Sequence, residues 1–197
     1  MTYISARSRI KSKSATKILN MLRRNLFFAP KSVKLKAFKI CVLPILEYAS
    51  CCWSPTSQKS NNTLEMVQHN AAKFIANIYH KKGTDYKPYS ITKLLWDLEL
   101  KTIVERRTQA RLTMAYKILN GYVILEQEML PKPNQRLSRN CNAPKVGMKY
   151  QLFEPQPRLH VSGKTYFFNV PSLWNNLVTP SQANSPSVEA FQQYFKK

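Results

Sequence analysis

The sequence predicts a mainly α fold: a helical bundle followed by a proline-rich, irregular C-terminal segment with room for short strands and a final short helix. Three observations carry this expectation. Apolar residues recur at helical spacing through most of the first 128 positions. Four glycines stand against twelve prolines, a balance that suits helices joined by stiff corners. At 197 residues, 44% hydrophobic and 11% aromatic, the chain can fill one good core or two small ones.

The elements follow in order. Ala15, Ile18, Leu19, Leu22 and Leu26 make one apolar stripe, and Pro30 ends that helix. Ser32 is placed to cap a second helix running through Ala37, Phe38 and Cys41 until Pro44 kinks or stops it. Apolar character continues from Ile45 to Trp53, and Ser54-Pro55 closes the segment. A third helix is expected from Asn62, which has capping-box spacing to Glu65; its stripe is Leu64, Val67, Ala71, Phe74, Ile75 and Ile78. Lys81 to Lys87 reads as a loop around Gly83, and Ser90 as the cap of a short helix bearing Ile91, Leu94 and Leu95. A long helix spans about Thr102 to Asn120, with Gly121 just past its end. It has two apolar strips, Ile103/Ala110/Met114 and Leu112/Ala115/Tyr116/Leu119, and is therefore expected to be central.

Beyond Leu130 the texture changes. Prolines 131, 133, 144, 155 and 157 punctuate a polar stretch without helical period. Tyr166-Phe167-Phe168 is read as a short buried strand and Ser187 to Phe195 as a last short helix. Two domains are expected: a basic helical domain over residues 1–128 and a C-terminal segment over 129–197.

Charge gives the main functional signal. The formal net charge is +21. No acid precedes Glu47, while eleven basic residues do: Arg7, Arg9, Lys11, Lys13, Lys17, Arg23, Arg24, Lys31, Lys34, Lys36 and Lys39. Solvated helix faces normally interleave Glu with Lys, and here Glu is missing. Such a surface calls for an anionic partner, with RNA or DNA engaged through phosphates as the first expectation. Lys13, Lys17 and Arg24 fall on the face of the first helix opposite its apolar stripe.

Several function classes receive no support. Two-metal polymerases and nucleases need clustered carboxylates, and the two aspartates, Asp85 and Asp97, stand apart. Phosphate-cradling, nucleophile-elbow and metalloprotease motifs are absent. Cys41, Cys51, Cys52 and Cys141 show no C-x-x-C spacing, so no metal site, cofactor, catalytic residue or small-molecule substrate is expected. Neither a signal peptide nor a membrane span is evident, and the reading is an intracellular chain, nuclear or cytoplasmic, without a membrane partner.

Several blocks carry a family resemblance. Leu22-Arg23-Arg24-Asn25-Leu26, Pro30-Lys31-Ser32-Val33-Lys34, Ala37-Phe38-Lys39 and Leu43-Pro44-Ile45-Leu46-Glu47-Tyr48-Ala49-Ser50, with Trp53 and Pro55, follow in order. Together they resemble the region after the catalytic palm of non-LTR (LINE-type) retrotransposon reverse transcriptases. Leu64 to Gln68, Ala71 to Phe74, Glu105-Arg106-Arg107, Arg111-Leu112, Tyr116-Lys117-Ile118, Trp174-Asn175 and Ser187 to Phe191 look like later blocks of that family. There are departures: His69-Asn70 replace a usual basic pair, Leu100-Lys101 a Trp-Pro, and Val178 a proline.

The resemblance implies a thumb and post-thumb fragment that grips template–primer while a palm, encoded upstream or separately, does the chemistry. Expected phosphate contacts are Lys13, Lys17, Arg24, Lys34, Arg106, Arg107 and Arg111. Trp174 is read as a core anchor, because Leu173 and Leu177 flank it at helical spacing. Two rival readings stay open: a protein-interaction module docking on a separately encoded palm, and an inactive relic of a truncated element.

Overall fold

The computed structural model describes residues 3–55, 57–78, 90–126, 132, 151–155 and 166–195, the side chains from Ala6 onward. The described chain is mainly α, with no strand among the described residues. The expected loop at Lys81–Lys87, most of the proline-rich stretch, Asp85 and Cys141 lie outside the described residues. The chain divides into two compact units: residues 1–49 with 55–107, and residues 50–54 with 108–197. The division falls inside a helix, where the sequence texture places a boundary near 128.

In the first unit, α1 (Tyr3–Asn25) lies against α4 (Gln58–Ile75). Buried positions on α1 are Ser8, Ser12, Ala15, Leu19 and Leu22, alternating steps of four and three. The stripe therefore starts two turns earlier than apolar residues alone reveal. The two serines extend it because small side chains suit a close approach, and Ser12 Oγ donates to Thr63 O at 3.2 Å. On α4 the matching residues Leu64, Val67, Ala71, Phe74 and Ile75 are buried as their spacing predicts.

Between them in sequence runs one helical rod with a local widening. Helix α2 (Lys31–Ala37) passes into a π-helical turn, Phe38–Val42, and then α3 (Leu43–Glu47). Pro44 explains the change: it lacks an N–H, and its ring would press on the carbonyl four residues back. Leu43 N–H reaches Phe38 O instead, and the wider turn gives the proline room. Phe38, Val42, Leu43 and Leu46 remain buried across the junction.

Helix starts correct two expectations. Pro30, and not Ser32, is the N-cap of α2, and it makes no side-chain cap bond. Helix α4 begins four residues before Asn62, where Ser57 Oγ accepts from Ser60 N–H. Ser90 does cap α5 (Ile91–Asp97), accepting from Lys93 N–H. Helix α6 (Ile103–Leu119) opens on a reciprocal box: Thr102 N–H donates to Glu105 Oε2 while Glu105 N–H donates to Thr102 Oγ1.

Three helices stop on a left-handed residue: Asn77 after α4, Glu99 after α5 and Gly121 after α6. In each case the residue beyond donates back five positions, from Ile78 to Lys73, Leu100 to Leu95 and Tyr122 to Lys117. Only Gly121 announces itself in the sequence, since glycine alone takes φ +74° without steric cost.

Glu65 is not the partner of Asn62. Its Oε1 accepts Val104 N–H at 3.1 Å, capping α6 from a neighbouring helix. Burial raises the Glu65 carboxyl above its ordinary range, against the two backbone N–H groups of Ile103 and Val104, with Glu105 adding to the rise. The other oxygen, Oε2, is buried without a hydrogen-bond partner. Because the folded state holds this proton more tightly than the unfolded chain, the contribution favours folding at acid pH. It is lost as pH rises through the folded-state value. Glu65→Gln, which keeps an acceptor for Val104, is therefore expected to melt higher than the wild type at neutral pH. The gap should close by about pH 4. A gap that widens on acidification in paired thermal melts would contradict this account.

The second unit gathers Leu112, Ala115 and Tyr116 of α6 with Val170 and Trp174 of α7 (Tyr166–Leu177), Phe191 of α9 (Val188–Gln193) and Leu152, which lies outside any helix. Its spine is a ladder of near-parallel rings: Tyr122 on Tyr116, Tyr116 on Phe191 at 4.6 Å, and Phe191 on Trp174 at 5.9 Å. Tyr116 Oη donates to Ser185 O, beside α8 (Pro180–Ala183). Tyr166-Phe167-Phe168 open a helix and do not form a strand. Tyr166, Val170 and Trp174, spaced by four, turn one face toward this core, and that tertiary pairing overrides aromatic β-preference. Ser187 caps α9 where expected.

Of the two strips expected on α6, Leu112, Ala115 and Tyr116 are buried, whereas Ala110 and Leu119 are exposed. The helix is shared along its length: Ile103 to Arg107 belong to the first unit and Thr108 onward to the second.

Candidate nucleic-acid interface

Helix α1 sorts its cations by face. Lys13, Lys17 and Arg24 are all exposed and fall within roughly 40° of one another on a helical wheel. Arg23, one position away, turns inward and donates from Nη2 to Asn70 O at 2.7 Å. Lys11 lies 4.6 Å from the Tyr48 ring centroid, as a cation over a π-face. The outward face of α1 thus carries a row of positive charge, and Lys31, Lys36 and Lys39 beyond the corner are exposed as well. Lys13 and Lys17, one turn apart with no intervening acid, repel each other by a few tenths of a kcal/mol unless an anion lies across them.

The other four expected phosphate contacts are placed differently. Lys34 is fully buried; its Nζ donates to Phe27 O at 2.8 Å and Asn77 Oδ1 at 2.5 Å, and sits 4.9 Å from the Phe74 ring centroid. Such an ammonium is consumed by internal acceptors and is not offered to phosphate. Arg106 forms an ion pair with Glu47. Arg107 is buried, with Nη1 donating to Leu46 O at 2.6 Å. Arg111 is buried over the Tyr166 ring, at 5.9 Å; burial lowers its pKa, partly offset by Tyr166 and Cys51, and its Nε has no hydrogen-bond partner. Arg106 keeps about a third of its side chain exposed in that pair, whereas Arg107 and Arg111 are structural in their placement.

A readable signal existed for them. Arg107 and Arg111 are spaced by four from Ile103 and Ala115, so they occupy the buried face of α6. Lys34 likewise precedes Phe38 and Val42 by one and two turns. Position in the stripe separates an internal cation from an external one, and charge alone does not.

Trp174-Asn175 has a divided role. Trp174 is a core ring, as its spacing predicts. Asn175 clamps the chain at Leu152, accepting its N–H at 2.8 Å and donating to its carbonyl at 2.9 Å. That clamp has no signature in the sequence, because its partner lies 23 residues back along the chain.

Among the described residues no group of three His, Cys, Asp or Glu is placed to hold a metal ion. No described helix is long and apolar enough to cross a membrane. No family model, curated protein or solved structure matches this chain.

Proposed function

We propose that this chain binds RNA or DNA through phosphate contacts, tolerant of sequence, and acts as a grip and not as a catalyst. We further propose that its architecture descends from the thumb and post-thumb region of a LINE-type reverse transcriptase, as the ordered blocks from Leu22 to Phe191 imply. The observation that carries the binding reading is the exposed row of Lys13, Lys17 and Arg24 in a segment with no acid before Glu47. Helix α1 holds those three cations in fixed register, so their side chains alone are ordered on binding. No base-reading motif accompanies them, and phosphate contacts position without specifying.

The test is a salt titration of binding to a short duplex and a short single strand. Each phosphate contact adds about 0.7 to 0.9 to the slope of log affinity against log salt. Replacing Lys13, Lys17 and Arg24 together by Gln is expected to lower that slope by roughly 2–3. Stability should be kept, since the buried stripe is untouched and Gln is a good helix former. An unchanged slope would remove α1 from the interface.

A further inference from the structure

Between α1 and α2 the chain turns a tight corner, Leu26 to Pro30, and the corner carries two adjacent phenylalanines. Phe28 is 95% exposed, the most exposed large apolar side chain among the described residues of the first unit. Phe27 packs edge-on against it, with ring centroids 5.0 Å apart and an interplanar angle of 87°. Leaving a ring in water forfeits about 1.5–3 kcal/mol of burial. A ring left out on a loose loop would need no explanation, but this corner is fastened. Leu26 N–H bonds to Leu22 O and Ala29 N–H to Leu26 O. Buried Lys34 donates to Phe27 O from beneath while its second bond holds Asn77 at the end of α4. The corner is thereby tied to two helices and presents Phe28 outward in a fixed position.

The surroundings of the ring select its partner. Arg24, four residues before, and Lys31, three after, are both exposed, as are Asn25, Pro30 and Ser32. Chain connectivity keeps the Cα atoms of Arg24 and Lys31 within roughly 14 and 11 Å of that of Phe28. One aromatic face between two cations matches a nucleotide, whose base offers a π-face and whose flanking phosphates offer the charge. Phe27 and Pro30 beside Phe28 are also exposed, but Arg24, Asn25, Lys31 and Ser32 flank this short apolar tip on both sides. It is too short for the long apolar face with which a helix lies in a lipid surface. Bases inside a duplex are already stacked on each other, so a single projecting ring can engage only an unpaired or terminal base.

We infer that Phe28 is a base-stacking residue, and that the basic surface of the first unit therefore prefers single-stranded or unpaired nucleic acid over continuous duplex. This inference rests on the phosphate-binding reading and adds the strand state of the ligand. The test compares wild type, Phe28→Ala and Phe28→Trp on a short oligodeoxythymidylate, a hairpin-closed duplex of matched length, and anionic phosphatidylserine vesicles. Phe28→Ala should weaken single-strand binding about tenfold, the loss of one stacked base. Duplex binding should change less than about twofold, and the salt slope should not change for either ligand, because no charge is removed. Phe28→Trp should restore the single-strand affinity. Thermal melts should coincide for all three proteins, since the ring is exposed.

Equal losses on duplex and single strand, or no loss on either, would overturn the stacking assignment while leaving phosphate binding intact. Unchanged nucleic-acid binding with loss of vesicle binding would overturn it in favour of a lipid surface. Failure of the wild type to bind either nucleic acid would overturn both readings together.

Discussion

Trp174→Ala is expected to cost roughly 3–5 kcal/mol and to unfold the second unit before it changes any surface. Trp174 is buried at one end of the ring ladder, stacked on Phe191, which in turn stacks on Tyr116. Truncation removes the largest ring of a core that has only seven buried members among the described residues, so little surrounding mass is available to collapse into the cavity. It also loosens the helix turn bearing Asn175, whose side chain holds both backbone groups of Leu152. A lowered thermal transition, followed by the fluorescence of the remaining rings, is the expected result. Trp174→Phe should retain most of the ladder and recover much of the loss. A variant that keeps its melting behaviour but loses nucleic-acid affinity would make Trp174 a contact residue and refute the core assignment.

How far the sequence could be read depended on what each residue's neighbours contribute. The stripes of α1 and α4 were legible because Leu19, Leu22, Leu64, Val67, Phe74 and Ile75 are apolar at helical period, and the period itself fixes which face is inward. Ser90, Ser187 and Gly121 were legible because a cap or a left-handed stop is a local matter. Legibility failed where the deciding partner lies far along the chain. Glu65 has the right spacing from Asn62 for a capping box, yet its partner is Val104, 39 residues on. Tyr166 to Phe168 favour a strand by local preference and form a helix because Val170 and Trp174 meet Phe191. For the proposed interface, charge pointed to an α1 face whose Lys13, Lys17 and Arg24 are exposed, but it could not tell Lys34 or Arg111, both buried, from Lys13. A cation inside a stripe looks the same in composition as one outside it. Phe28 went unremarked for the converse reason: nothing in the local pattern says that a phenylalanine beside Pro30 will be left in solvent.

Lys34→Met is expected to cost roughly 2–3 kcal/mol of stability, the worth of charge-assisted hydrogen bonds at a site closed to solvent. Methionine has nearly the length and volume of the lysine stem, so the loss reports the ammonium and not a cavity. What disappears are the bonds to Phe27 O and Asn77 Oδ1 and the contact with the Phe74 ring. The two acceptors belong to different elements, the corner after α1 and the stop of α4, so their loss releases two helix ends at once. Asn77→Ala should be destabilising for two reasons, since it removes one acceptor and places alanine at a φ of +57°. Combined with Lys34→Met it should cost less than the sum, because the shared hydrogen bond can be lost only once. The decisive comparison is with the Lys13, Lys17 and Arg24 triple variant. Lys34→Met should lower the melting temperature and leave the salt slope of nucleic-acid binding unchanged, whereas the triple variant should do the reverse. A slope that falls by about 0.7 to 0.9 in Lys34→Met, with melting unaffected, would mean that the ammonium leaves its buried acceptors to meet a phosphate. The division of cations between interior and interface would then have to be redrawn.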